Sequence, residues 1–146
     1  MSYWDTSALV KLYAKEADST AFEAHALNDP GQSTTSRIAL YEARATFRRK
    51  EAEGAIMTGS AQTLYEQLLQ DLAVGEIRLI ELGADVEREY GQVLNLCYQP
   101  TTPILLRTLD ALHLASARVA GETGLVATDK RMREAAKLLG FSLFPA

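Results

Sequence analysis

Apolar and polar side chains alternate along this chain with two different periods. The segment IRLIEL at 77–82 alternates residue by residue, which is typical of a half-buried strand. Between 58 and 74, leucines recur every fourth residue, which is typical of an amphipathic helix. Together with the turn residues, the pattern predicts strands at 2–5, 33–36, 77–82, 124–128 and 141–144, and helices at 7–14, 19–27, 37–53, 58–74, 84–98, 109–119 and 130–139.

Strands and helices alternate from one end of the chain to the other. This order favours a parallel sheet with helices on both faces, joined by right-handed crossovers. The length of 146 residues suits one domain, so we expect a single α/β domain over 1–146. Local signals agree with these elements, because Ser36 is a good N-cap for the third helix and Gly54 and Gly140 are good helix ends.

The composition excludes several classes of protein. Apolar residues make up 47% of the chain and charged residues 23%, which is typical of a folded domain and not of a disordered one. The single cysteine, Cys97, excludes an internal disulfide and a cysteine-based zinc site, and its apolar surroundings VLNLCYQ predict a buried core thiol. No apolar run approaches the ~20 residues that span a bilayer, and the N-terminus lacks a secretory signal pattern. We expect a cytoplasmic protein without membrane association.

Four acidic residues occupy positions where ligands bind in open α/β folds. Asp5 and Asp129 each follow a predicted strand, Glu42 lies about two turns into the helix after the second strand, and Asp110 opens the helix DALHLASA. Carboxyl ends of parallel strands share one edge of the sheet, so these side chains are expected to converge there. Local alternatives remain open: Asp5, Asp110 and Asp129 could be N-caps, and Glu42 a solvated helix residue.

Convergence of these carboxylates would require a cation. Four negative groups within a few ångströms would raise one another's pKa unless positive charge compensated them. Hard oxygen ligands without cysteine or histidine favour Mg²⁺ or Mn²⁺. Such ions polarise phosphoryl oxygens and activate water. The pattern therefore indicates phosphoryl or phosphodiester chemistry.

Four motifs in register resemble the PIN-domain family, and more narrowly the VapC-type toxins of bacterial toxin–antitoxin pairs. They are YWDTSALVKLY, the glutamate in IALYEARATF, LRTLDALHLASA, and VATDKRMREAA with a following glycine. The resemblance covers essentially the whole chain. It implies a PIN-like three-layer sandwich and a metal-dependent endoribonuclease that hydrolyses RNA phosphodiester bonds.

The resemblance also assigns roles to individual residues. Asp5 and Asp110 would be the principal Mg²⁺ ligands, and Glu42 and Asp129 would help to hold the metal and orient the attacking water. Two small polar residues, Ser7 and Thr128, would support the acids by hydrogen bonding.

Further implications concern a histidine and the partners. Some relatives carry an acid where this chain has His113, so the number of metal ions stays open, and we expect His113 to support or pack rather than to ligate. The resemblance implies a small antitoxin whose tail blocks the active site, and a homodimer.

Basic residues recur beside each acid although the net charge is −4. We expect Lys11, Arg44, Arg107 and Lys130 to contact the RNA substrate, because they would offset repulsion between acids and phosphates. Arg49 and Lys50 are expected to pair with Glu53 instead. The aromatic residues Trp4, Tyr13 and Tyr41 are expected in the core.

Three alternative functions fit part of this pattern. A haloacid-dehalogenase-like phosphatase needs a second aspartate two residues after the first, where this chain has Ser7. A phospho-acceptor receiver domain needs an acceptor aspartate directly after the third strand, and only Asp85 follows, late. The strongest rival outside enzymes is a PIN-like domain that binds RNA or protein without cutting.

Overall fold

Five parallel strands form one sheet in the computed structural model, which describes residues 1–146. The sheet order is β3-β2-β1-β4-β5, with β1 (Ser2–Trp4), β2 (Ser33–Ser36), β3 (Ile77–Ile80), β4 (Gly124–Val126) and β5 (Ser142–Phe144). Seven helices connect them: α1 (Thr6–Val10), α2 (Ser19–Asn28), α3 (Arg37–Ala52), α4 (Ser60–Ala73), α5 (Ala84–Tyr98), α6 (Thr108–Val119) and α7 (Lys130–Leu138).

The central strand β1 divides the protein into two cores. Successive strand residues point to opposite faces, and Tyr3 and Trp4 are both fully buried. Tyr3 joins the cluster formed with α5, α6 and α7, and Trp4 joins the cluster formed with α1 to α4. The result is three layers, helices over sheet over helices, which confirms the predicted fold class.

Register explains why some elements are shorter than predicted. In the ladder between β2 and β3, Ser36 pairs with Ile80. Because α3 starts immediately after Ser36, the two residues that follow Ile80 have no partner strand, and β3 ends there. The first helix also ends early: after Val10 the amides of Lys11, Leu12 and Tyr13 each bond the carbonyl three residues back, so the chain tightens into turns.

Several single-residue predictions can be compared with the fold. Cys97 is buried and unpaired, as expected. Ser36 caps α3 by accepting a hydrogen bond from the Ile38 amide at 3.2 Å. Trp4 is in the core, but the prediction for Tyr41 is wrong, because that side chain is 65% exposed on α3. None of the helices is long and apolar enough to cross a membrane.

Candidate active site

The four acids line one cavity at the carboxyl edge of the sheet. Asp5 follows β1, Asp129 follows the neighbouring β4, Glu42 comes from the second turn of α3, and Asp110 from the first turn of α6. The cavity measures about 270 Å³ and has no hydrophobic lining. We call it the acidic pocket; its lining residues are Asp5, Thr6, Ser7, Glu42, Arg107, Asp110, His113, Thr128 and Asp129.

Asp5 is the most buried of these acids, with 5% of the residue exposed. Its Oδ1 accepts a hydrogen bond from the Ala8 amide at 3.0 Å, so Asp5 is the N-cap of α1 as well as a pocket residue. The Ser7 hydroxyl donates to its carboxylate at 3.0 Å. Burial raises the pKa of Asp5 to about 6, an effect that these hydrogen bonds oppose and the nearby charge of Asp110 reinforces.

Ser7 joins the ends of the two central strands. Its Oγ lies 2.9 Å from Thr128 Oγ1, while it donates to Asp5. Thr128 thus reaches Asp5 through Ser7. These contacts are the kind of hydrogen-bonding support that the resemblance implied for both residues.

Glu42 is held by two side chains, Thr6 and His113. Thr6 Oγ1 donates to Glu42 Oε1 at 2.7 Å, and His113 Nε2 lies 2.6 Å from the same oxygen. Burial alone would raise the pKa of Glu42, but the hydrogen bonds from His113 and Thr6 outweigh it and keep the pKa below its usual range. Glu42 is therefore an ionised member of the pocket and not an isolated surface residue.

His113 is 2% exposed and bonded at both ring nitrogens. Its Nδ1 lies 2.5 Å from the hydroxyl of Tyr3, and its Nε2 faces Glu42. Burial raises the pKa of Tyr3 well above its usual value, so this hydroxyl keeps its proton. The contacts are satisfied when Tyr3 donates to Nδ1 and Nε2–H donates to Glu42. His113 thus links the core to the pocket. Neither this link nor the contact of Thr6 with Glu42 is predictable from local spacing, because the partners lie on separate elements.

Asp110 and Asp129 share a basic partner instead. Arg107 Nε donates to Asp110 Oδ2 at 3.1 Å, and its Nη2 to Asp129 Oδ2 at 3.5 Å. Asp129 caps α7, because its Oδ1 accepts from the Met132 amide at 2.9 Å. The N-cap alternative for Asp110 is wrong: α6 begins at Thr108, which leaves the Asp110 carboxylate free of capping.

The acidic pocket has the donor chemistry of a divalent-metal site but not a finished coordination shell. All four carboxylates supply hard oxygen atoms. No three side chains among its acids and histidine lie close enough together to form a preassembled metal site. The guanidinium of Arg107 supplies the positive charge between two of the acids.

A second cavity adjoins the acidic pocket and shares Thr6, Ser7, Glu42 and Thr128 with it. This basic groove, about 410 Å³, is lined by three cations (Lys11, Arg49 and Lys50) and by Glu16. Glu16 bonds both Lys11, at 2.5 Å, and Lys50, at 2.8 Å. The expected pairing of Lys50 with Glu53 is therefore wrong, because a residue distant in sequence binds it.

The other predicted RNA contacts lie in different environments. Lys130 is exposed and lines a groove of about 320 Å³ together with Arg133 and Lys137. Thr128 belongs to this groove as well as to the other two cavities. Arg44 lies 4.9 Å over the ring of Tyr65, away from the residues that line the pocket.

A parallel α/β sheet with an all-polar acidic pocket at its carboxyl edge defines a class of fold and site that suits phosphoryl chemistry. Comparison with known proteins makes this specific. The family model described as PIN domain matches residues 2–138, and the chain belongs to that family.

Relatives and solved structures agree with this assignment. Ribonuclease VapC45 of Mycobacterium tuberculosis is 34% identical over 99% of this chain and 94% of its own length. The crystal structure of the sarcin-ricin loop cleaving toxin VapC20 from the same species aligns with a TM-score of 0.64 at 19% identity, covering 92% of this chain and 95% of that one. A toxin–antitoxin complex from Klebsiella pneumoniae aligns at 0.57 and 20% identity, covering 88% and 87%.

Two of the alternatives, the phosphatase and the receiver domain, belong to other families. Membership of the PIN-domain family excludes them as the family of this chain. The geometry agrees, since Ser7 supports Asp5 by donating to it, whereas Asp85 lies in the first turn of α5 and outside the acidic pocket.

Proposed function

We propose that this protein is a Mg²⁺- or Mn²⁺-dependent endoribonuclease and the toxin of a type II toxin–antitoxin pair. The observation that carries the proposal is the acidic pocket, where carboxylates from four separate elements line one polar cavity. The relatives support the substrate, because they carry the name ribonuclease over almost the whole length of this chain.

The four acids would have the roles that the resemblance implies. Asp5 and Asp110 would hold the metal, with Glu42 and Asp129 assisting directly or through water. The bound ion would polarise the phosphodiester and lower the pKa of a water molecule. Ser7 would keep the Asp5 carboxylate oriented, and Glu42, ionised and fixed by His113 and Thr6, would orient the attacking water.

The basic groove and the Lys130 groove support a path for RNA. Both grooves share Thr128 with the acidic pocket, so an RNA strand at the pocket would lie next to their cations. Lys11, Arg107 and Lys130 remain the proposed contacts, and Arg49 joins them as a lining residue of the basic groove. Arg44, stacked on Tyr65, would contribute least.

The proposal extends to partners and location. A small antitoxin is supported by the structural likeness to a toxin–antitoxin complex. A homodimer is supported by a groove along α5 lined by Leu94, Leu96, Tyr98 and Leu106, whose apolar surface a second copy would cover. An RNA substrate and a single buried thiol support a cytoplasmic location. Light scattering would test the dimer: Tyr98→Asp should yield monomers, and an unchanged mass would argue against this groove.

The test of the nuclease compares the wild type with Asp5→Asn and Asp110→Asn, each as the full chain. Both variants should lower the rate of Mn²⁺-dependent RNA cleavage by more than about 100-fold, or about 3 kcal/mol of activation free energy. Expression of either should no longer inhibit growth. Sequencing of RNA 5′ ends after induction would identify the cleavage site, present with the wild type and absent with Asp5→Asn.

A matched control keeps this test specific. Glu66→Gln removes an exposed carboxylate on α4 that bonds only Gln62, and it should cleave like the wild type. Full activity of Asp5→Asn, or undiminished cleavage in EDTA, would refute the metal-dependent nuclease. A folded wild type that binds RNA but never cuts it would favour the non-catalytic alternative.

A further inference from the structure

Arg107 is the one lysine or arginine among the residues that line the acidic pocket. It stands immediately before α6, and its guanidinium bridges Asp110 and Asp129, which come from different helices. A cation at this position does electrostatically what a bound metal would do, since it reduces the repulsion between two carboxylates.

Arg107 and a divalent ion would need the same oxygen atoms. Asp129 Oδ1 already accepts the capping bond from Met132, so Oδ2 is the atom left for a cation, and Arg107 donates to that atom. The Asp110 atom that Arg107 contacts is likewise Oδ2. A metal held by these two acids would compete directly with the guanidinium.

The guanidinium is also weakly held. The Arg107 side chain is 69% exposed, and no hydrogen bond ties it to any group other than the two acids. Exposed ion pairs of this kind contribute ~0–1 kcal/mol, so little opposes their exchange for a divalent ion. By contrast, both hydrogen bonds to Glu42 fall on Oε1, which leaves Oε2 without a cationic competitor.

We propose that Arg107 is an internal counter-ion that occupies the cation position of the metal-free pocket and is displaced when the metal binds. The inference rests on the proposed function, because it assumes that Asp110 and Asp129 bind the metal. It assigns to Arg107 control over metal affinity: the guanidinium raises the metal concentration at which the pocket fills.

The test measures Mn²⁺ binding to the full chain by isothermal titration calorimetry, without RNA. Arg107→Gln removes the charge but keeps a polar side chain, and it should bind Mn²⁺ about three- to tenfold more tightly, the fold-change expected for loss of a weak ion-pair competitor. Arg37→Gln is the matched control, because it removes an equal charge that pairs with Glu81 outside the pocket. It should bind Mn²⁺ within about twofold of the wild type.

A second readout is the rise in unfolding temperature on adding Mn²⁺, which should be larger for Arg107→Gln than for the wild type. Binding by Arg107→Gln alone would support the inference strongly. If the wild type binds Mn²⁺ and Arg107→Gln binds it no more tightly, the inference is wrong and the nuclease proposal is unaffected. No Mn²⁺ binding by either protein would overturn both.

Discussion

The two halves of the acidic pocket hold their carboxylates in different ways. Asp5 and Glu42 are contacted by a backbone amide, two hydroxyls and an imidazole, and of these donors Ala8, Thr6 and His113 are buried. Asp110 and Asp129 share the exposed charge of Arg107. Contacts to buried donors are screened little by salt, whereas an exposed ion pair is screened and easily exchanged. One half is a rigid frame and the other is adjustable.

The largest expected effect comes from His113, which joins the rigid half to the core. His113→Ala would leave a cavity, a Tyr3 hydroxyl without its His113 partner and a Glu42 carboxylate held by Thr6 alone, so it should lower the free energy of unfolding by about 2–4 kcal/mol. Urea denaturation in EDTA would measure the loss. His113→Gln keeps a donor and should lose less, and a cost below about 0.5 kcal/mol for the alanine variant would refute the rigid-frame description.

Replacement of Asp5 should change the free energy of unfolding in the opposite direction. A buried carboxyl whose pKa is raised to about 6 destabilises the metal-free fold at pH values above that pKa, and the penalty disappears as pH falls below its unfolded value of 3.8. Asp5→Asn keeps the cap, so at pH 8 it should be more stable than the wild type by up to about 3 kcal/mol. Unfolding in EDTA at pH 8 and pH 4.5 should show the advantage shrinking in acid. A loss of stability at pH 8 would contradict the burial argument.

Tyr3 offers a smaller and cleaner change in the same half. Tyr3→Phe preserves the ring but removes the hydroxyl that hydrogen-bonds His113 Nδ1, so it should cost about 1–2 kcal/mol of unfolding free energy. Chemical-shift changes should reach the His113 ring, because it loses its partner at Nδ1. A ring that keeps its wild-type shifts would show that Tyr3 does not position His113.

The smallest effect is expected in the adjustable half. Arg107→Gln should change the free energy of unfolding of the metal-free protein by less than about 0.5 kcal/mol, and raising the salt concentration should abolish the difference. The contrast with His113→Ala, measured under identical conditions, tests the comparison of the two halves directly. A large, salt-insensitive cost at Arg107 would mean that this half is rigid too.

The sequence predicted the positions of Asp5 and Asp129 because Asp5 directly follows β1, Asp129 comes three residues after β4, and parallel strand ends share one edge. The convergence of Glu42 and Asp110 depended on the family resemblance. The pairing predicted for Lys50 failed because its partner, Glu16, lies 34 positions away in the sequence. Local spacing carries no information about such partners. The catalytic roles of the acids remain predictions.

The contact between Tyr3 and His113 could not be predicted from the sequence either. Alternation along β1 indicates that Tyr3 and Trp4 point to opposite faces, but not which helix residue meets each one. Tyr3 and His113 lie 110 positions apart, and their hydrogen bond depends on how α6 crosses the sheet. The start of α6 at Thr108 matters as well, because it excludes the N-cap alternative for Asp110, which lines the pocket.

Asp5 both caps α1 and lines the acidic pocket, and this has a genetic consequence. On the proposed mechanism, an asparagine at this position would stop the chemistry and leave the fold and its surfaces intact. Cells carrying such an allele would still make a well-folded protein that binds the same partners. The inactive protein would therefore compete with the active one for those partners instead of being degraded as a misfolded product.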